Sequence, residues 1–211
     1  MSDQNALPVL RLMEPRDVAS VMQLMVDSRF PLSGLASQSL YRAICQDGLK
    51  ADRVLIGIAE IDRTVAGFLL VIVDYAAYWK SFLMRHPLVG VRMLWRRARR
   101  RKRFVNVWIT LTLETRQAVS NIIEIEPCGR TWADSNPSIA KGIFMHIAPR
   151  FRRKGLAIVL YEFLFNILRQ RGVSRCDAKV DIANTAAHPL HLRVGYRLER
   201  QGNTLFATRD L

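Results

Sequence analysis

The sequence has 211 residues, of which half are apolar and 32 are Lys or Arg against 18 Asp or Glu, a net charge of +14. That length fits one domain, and the apolar share is enough for a core, which excludes a disordered chain. The charge points to an anionic partner without naming it. The excess is concentrated: residues 76–104 hold ten basic side chains and no acidic one.

Cys45, Cys128 and Cys176 are far apart, with no C-x-x-C pair. A zinc or dithiol site is therefore not expected, nor a disulfide framework, and the reading is a reducing, cytoplasmic compartment. Met1–Asn5 lacks the basic start and apolar run of a signal peptide. The longest uncharged apolar stretches, Thr64–Val73 and Phe104–Leu113, reach about half the roughly twenty residues of a membrane span.

In chain order, Val9–Met13 reads as a short strand. A turn over Glu14–Asp17 leads into a helix carrying Val18, Val21, Met22 and Met25. Leu35–Gln46 reads as a second helix. Val54–Ile61 and Val65–Asp74 read as a hairpin closed by Asp62-Arg63-Thr64. Ala76–Arg103 reads as one or two amphipathic helices with a basic end. Phe104–Leu113 alternates like a strand, Asn121–Glu126 reads as another candidate, and Arg130–Ile139 reads as a loop.

Gly142–Ile147 reads as a strand closed by Pro149. Leu156–Gln170 has the clearest helical stripe, through Leu156, Val159, Leu160, Phe163, Leu164, Ile167 and Leu168, with Gly172 as its stop. Arg175–Ile182 is a strand and Ala186–Val194 a short helix. Tyr196–Arg200 and Thr204–Arg209 form a hairpin around Gly202-Asn203. The order is that of a mixed α/β domain.

The stretch Arg152-Arg153-Lys154-Gly155-Leu156-Ala157 lies between a strand and a long helix. A helix N-terminus offers unpaired N–H groups and partial positive charge, so it suits phosphate oxygens. Gly155 allows close backbone approach, Ala157 keeps the first turn small, and Arg150 adds charge. The pattern is neither a Walker A loop nor G-x-G-x-x-G, and a solvated basic loop before a core helix is the competing reading.

Arg-x-x-Gly-x-Ala after Ile147-Ala148-Pro149 resembles the acetyl-CoA motif of the GNAT superfamily of N-acetyltransferases. Asn184, Ala187, Leu190 and Gly195-Tyr196 resemble that superfamily's N-x-x-A-x-x-L-Y-x-x-x-G-F/Y block. The likeness is good over residues 141–211, plausible for the N-terminal elements and absent over 76–135. It implies an α/β GNAT fold: a mixed central sheet flanked by helices, in a single domain over 1–211. The helical basic insertion precedes the fourth core strand. It also implies acyl transfer from acetyl-CoA, or another acyl-CoA, to an amine by direct attack in a ternary complex.

By that resemblance the backbone of Arg152, Arg153, Lys154, Gly155, Leu156 and Ala157 holds the pyrophosphate. The strand around Met145, His146 and Ile147 pairs with the pantetheine arm. Asn184 contacts the arm or orders its loop. The family's tyrosine, which protonates the leaving thiolate, is replaced here by His191. Histidine can donate a proton near neutrality, so His191 is the expected general acid, against a packing role with water as donor.

No base stands out. A two-residue period puts Lys141, Ile143, Met145 and Ile147 on one face and His146 on the other, where a satisfied core histidine is the simpler expectation. Glu124, Glu126 and Asp181 are weak candidates; a water-mediated base or an already neutral amine is equally open. His86 and His188 precede prolines and read as turn residues. No metal-ligand cluster is expected.

Residues 76–104 admit three readings. One is a solvated helix end. Another is docking on an acidic surface, an acyl carrier protein, an anionic membrane or a polyanionic acceptor, with Trp79, Phe82, Leu83, Leu94 and Trp95 beside the charge. The third is nucleic-acid binding, which no recognised motif supports. Docking on lipid would place the protein peripherally at a membrane. The insertion and the Ser28–Leu35 loop resemble, more loosely, members linked to bacterial amino-sugar and polysaccharide biosynthesis. A non-catalytic or carrier-protein-dependent module using the same fold is the alternative to an enzyme.

Overall fold

The computed structural model describes residues 7–28, 38–50, 52–88, 136–202 and 204–211. Seven strands form one sheet in the order β1-β2-β3-β4-β5-β7-β6. They are β1 (Val9–Leu12), β2 (Val54–Ile61), β3 (Thr64–Val73), β4 (Ile139–Ile147), β5 (Arg175–Asp181), β6 (Arg197–Gln201) and β7 (Thr204–Asp210). Only β4 and β5 run parallel; every other neighbouring pair is antiparallel.

β2 and β3 lie inside the sheet and are apolar on both faces, which is why Val54–Ala59 and Val65–Val73 read as apolar runs. The turn between them, Asp62-Arg63, takes positive φ at both residues, +49° and +58°, the twist a two-residue hairpin needs. Val54, Ile56, Ile58, Phe68, Leu70 and Ile72 face one core. It is covered by α1 (Val18–Asp27), α2 (Gln38–Gly48) and α3 (Tyr75–Arg85). Leu55, Ala59, Leu69 and Val71 face the other, covered by α4 (Leu156–Gln170).

α3 corrects the sequence reading. Its residues Tyr75, Tyr78, Trp79, Phe82 and Leu83 recur at helical spacing and are all buried against the sheet and one another. Trp79, Phe82 and Leu83 are therefore core side chains and are not displayed on an interfacial helix. The helix is started by Asp74, whose carboxylate accepts from the Ala77 amide at 3.4 Å, and Arg85 near its end pairs with buried Asp47 at 2.8 Å.

Further expectations lie outside the described residues: most of the 28–35 loop, Leu94, Trp95, the Arg-rich run, the strands over 104–113 and 121–126, Glu124 and Glu126. Among the described residues no helix is long and apolar enough to cross a membrane, and no group of metal-binding side chains occurs.

Candidate active site

The site begins with one extra residue in β4. Phe144 pairs with Leu70 and Gly142 with Val71, so Ile143 has no partner on β3 and forms a bulge. A bulge bends its strand and reverses which side chains face each way. Lys141, Phe144 and His146 lie opposite Ile72, Leu70 and Phe68, on the α1–α3 face. Met145 and Ile147 pack on the α4 face. The two-residue period expected from sequence, which joined Lys141 to Met145 and Ile147, fails at this bulge.

The bend also opens the sheet. Parallel pairing joins Ile139–Gly142 to Arg175–Ala178 and stops there. β4 continues along β3 as far as Ile147, and β5 along β7 as far as Asp181. Between them is a wedge whose β4 wall is 143–147. At its closed end Lys141 and Asp177 form a buried ion pair at 2.7 Å, with Arg175 also on Asp177 at 3.0 Å.

The open end meets the basic turn. After a short 3-10 turn over Pro149–Phe151, Arg152 Nε donates to the Ile147 carbonyl at 3.0 Å, tying the turn to the end of β4. Arg153 and Gly155 both take positive φ, +63° and +76°. Gly155 is the N-cap of α4, and no side chain caps that first turn, which holds no acidic residue. A Cβ on Gly155 would meet nothing within 4 Å, so glycine serves the backbone conformation and the space beside it is open. Uncapped amides, basic side chains and open space fit a pyrophosphate. The adjoining strand edge beyond Gly142 fits an extended arm that needs backbone partners.

The third element is α5 (Ala187–Arg193). The Asn184 carbonyl accepts from the Ala187 amide at 3.0 Å and its amide donates to Asp181 at 2.9 Å, so this residue shapes the turn that starts the helix. Its side chain is exposed. Asp181 is committed to the same turn, accepting from Ala183 at 2.9 Å, and His188 lies 3.2 Å from the Asp181 carbonyl.

His191 is buried among Tyr161 and Tyr196, with both ring nitrogens occupied. Nδ1 lies 2.8 Å from the Ala187 carbonyl and Nε2 3.4 Å from the Tyr161 hydroxyl. A carbonyl only accepts, so Nδ1 carries the proton and Nε2 accepts from Tyr161. Burial lowers its pKa, outweighing the hydrogen bond to Ala187, which raises it, and so favours the neutral ring. The proton-donor role expected of His191 does not follow from this geometry: its one N–H is spent on the backbone.

His146 differs. It is half-buried, its Nε2 is buried without a hydrogen bond, and its ring stacks on Phe144. Burial and then Arg152 lower its pKa, while Asp27 at the end of α1 acts in the opposite sense. The sequence showed a histidine on a strand; the signal it could not show was the empty ring nitrogen.

Sequence comparison matches residues 18–196 to the model of the "Acetyltransferase (GNAT) family". No curated protein matches the chain by sequence. Among solved structures, a putative GNAT-family acetyltransferase from Desulfovibrio desulfuricans is similar at TM-score 0.59 and 11% identity, covering 97% of this chain and 99% of its own. The PaiA N-acetyltransferase from Thermoplasma acidophilum, solved with coenzyme A, is similar at TM-score 0.55 and 10% identity, covering 97% and 99%. The Escherichia coli ribosomal-protein-S18-alanine N-acetyltransferase is similar at 0.55 and 12%, covering 97% and 94%. At such identities these likenesses establish the fold, while the family model, spanning most of the length, establishes membership. The chain belongs to the GNAT family of acetyltransferases.

Proposed function

We propose that the protein is an N-acyltransferase that moves an acetyl or other acyl group from acyl-CoA to an amine by direct attack in a ternary complex. The observation that carries this is the wedge between β4 and β5 ending on the uncapped N-terminus of α4. In this reading the amides of the 152–157 turn hold the pyrophosphate and the β4 edge at Met145–Ile147 pairs with the pantetheine arm. Asn184 keeps the α5 turn in register. Acyl-CoA supplies the activated acyl group as a thioester; the chain's own residues bind and orient it.

Calorimetry with acetyl-CoA, followed by thiol release against a panel of amines, tests the reading. The panel holds a peptide N-terminus, a lysine peptide, spermidine and glucosamine. Micromolar binding that Gly155→Glu abolishes, with thiol release from at least one amine, is the expected result. No binding by the wild type, or a Gly155→Glu variant indistinguishable from it, overturns the reading.

The ten basic side chains of 76–104 favour an anionic partner carrying the acceptor. Arg85, one of them, is already committed to Asp47. Binding to an acyl carrier protein or to anionic vesicles that weakens as salt rises would support such a partner.

A further inference from the structure

A cavity of about 260 Å³ opens where the end of α2, the start of β2 and α3 meet. It is apart from the wedge. Its β2 wall is Val54, which pairs with Ile72, whereas the wedge mouth at Ile147 pairs with Gly67. The length of β3 from Gly67 to Ile72, roughly 17 Å, separates the two. The volume lies just below the roughly 300–1,000 Å³ of sites that take drug-sized ligands, so an occupant has to be small.

Tyr78 on α3 gives the cavity its chemistry. The residue is 1% exposed, with its ring against Trp79 and Phe82. Its hydroxyl is buried and makes no hydrogen bond. Burial, and then the charge of Asp47, push its pKa well up, so the hydroxyl keeps its proton and is a donor without an acceptor. Asp47 stands nearby, but its two oxygens are engaged by Arg85 at 2.8 Å and by His86 Nε2 at 3.4 Å. Asp47 and Arg85, whose charges act on the hydroxyl, both line the cavity, which places the O–H end of Tyr78 toward it.

The remaining charges set the sign of a ligand. Arg85 offsets Asp47. Lys50 and Arg53 then outnumber Asp52 on the cavity wall, and among the described residues neither cation has a carboxylate partner. A hydrogen-bond donor in search of an acceptor, beside two uncommitted cations, suits an anionic oxygen.

We propose that this cavity is a second ligand site, taking a small carboxylate or phosphate anion whose oxygen accepts from Tyr78 and whose charge meets Lys50 and Arg53. The site is distinct from the acyl-CoA slot and stands whether or not the acyltransferase reading does. A ligand there ties α3 to the segment that leads from α2 into β2.

The test is low-salt calorimetry on the full chain with malate, glycerol 3-phosphate and inorganic phosphate as probes. It compares the wild type with Gly155→Glu, Tyr78→Phe, Arg53→Gln and Ser81→Leu. At least one probe should bind the wild type and Gly155→Glu alike, because the 152–157 turn takes no part. Binding of malate alone assigns a carboxylate ligand, and binding of the phosphates alone a phosphate one. Tyr78→Phe should weaken the affinity about tenfold or more, the worth of a hydrogen bond to a charged group. Arg53→Gln should weaken it and flatten its salt dependence. Ser81→Leu, which fills the cavity from the α3 wall, should abolish it. Tyr78→Phe removes an unpartnered buried hydroxyl and should melt no lower than the wild type, so its lost binding is not lost folding.

A wild type that binds none of the probes overturns the proposal. So does binding that Tyr78→Phe and Ser81→Leu leave intact; if Gly155→Glu removes that binding, the anion is held by the 152–157 turn.

Discussion

Two histidines stand near the wedge, one on α5 and one on β4, and the two are built differently. On α5 His191 gives Nδ1–H to Ala187 and receives Tyr161 at Nε2, inside a cluster with Tyr196. On the β4 wall His146 keeps Nε2 empty. Burial lowers the pKa of both rings. Their bonding separates them: a saturated ring organises its neighbours, whereas an unsaturated one stores a cost that a ligand can relieve. The motif position of His191 pointed to chemistry, and its partners point to architecture.

The largest effect should come from the pair that joins the walls. Lys141→Met leaves Asp177 buried with only Arg175, and breaking a buried ion pair costs about 3–5 kcal/mol. Urea denaturation reads the loss directly. Lys141→Met with Asp177→Leu should recover most of it; a double variant no better than the single would show that the walls are joined by something else.

Next is the contrast itself. His191→Ala opens a hole beside Tyr161 and Tyr196 and leaves the Ala187 carbonyl one donor short, a loss of about 2–4 kcal/mol. His146→Ala, at a half-buried site, should cost less than half as much in the same melts. Equal losses would erase the distinction between the two histidines.

A smaller effect is expected at Gly155. Alanine there meets no steric neighbour but must hold φ at +76°, so Gly155→Ala should cost about 1–2 kcal/mol in melts without ligand. A variant as stable as the wild type would mean that the turn relaxes.

The smallest is a pH slope. With its folded pKa below the unfolded value of roughly 6.5, His191 binds fewer protons folded than unfolded as pH falls through that range. Its contribution is therefore full above about pH 6.5 and lost as pH falls toward and through the lowered folded value. His191→Phe should flatten the fall in Tm between about pH 6.5 and 5. A slope that survives unchanged assigns the titration to another group.

Much of this was legible from residue patterns. The stripe from Leu156 to Leu168 placed α4, and Asp62-Arg63 marked the hairpin. The two motif blocks located the turn and α5 because close approach to phosphate and tight packing demand particular small residues. Three features were not legible. The β4 alternation was misread because a bulge adds one residue without any mark of its own; Ile143 looks like any strand isoleucine. Trp79, Phe82 and Leu83 were drawn into the neighbouring charge because adjacency in sequence does not distinguish a helix's buried face from its exposed one. The two histidines could not be told apart because a ring nitrogen's partner is a tertiary property, set by Tyr161 thirty residues from His191 in one case and by no one in the other.

The bulge at Ile143 also has a meaning for how such a site can arise or vanish. A regular parallel pair would zip β4 to β5 along their whole shared length and leave no slot. One additional residue halts the zipper at Gly142 and Ala178 and at the same time turns His146 toward the α1–α3 face. Slot and side-chain orientation are thus a single hereditary unit: one codon gained or lost would create or erase both together, with no substitution at any residue that touches a ligand.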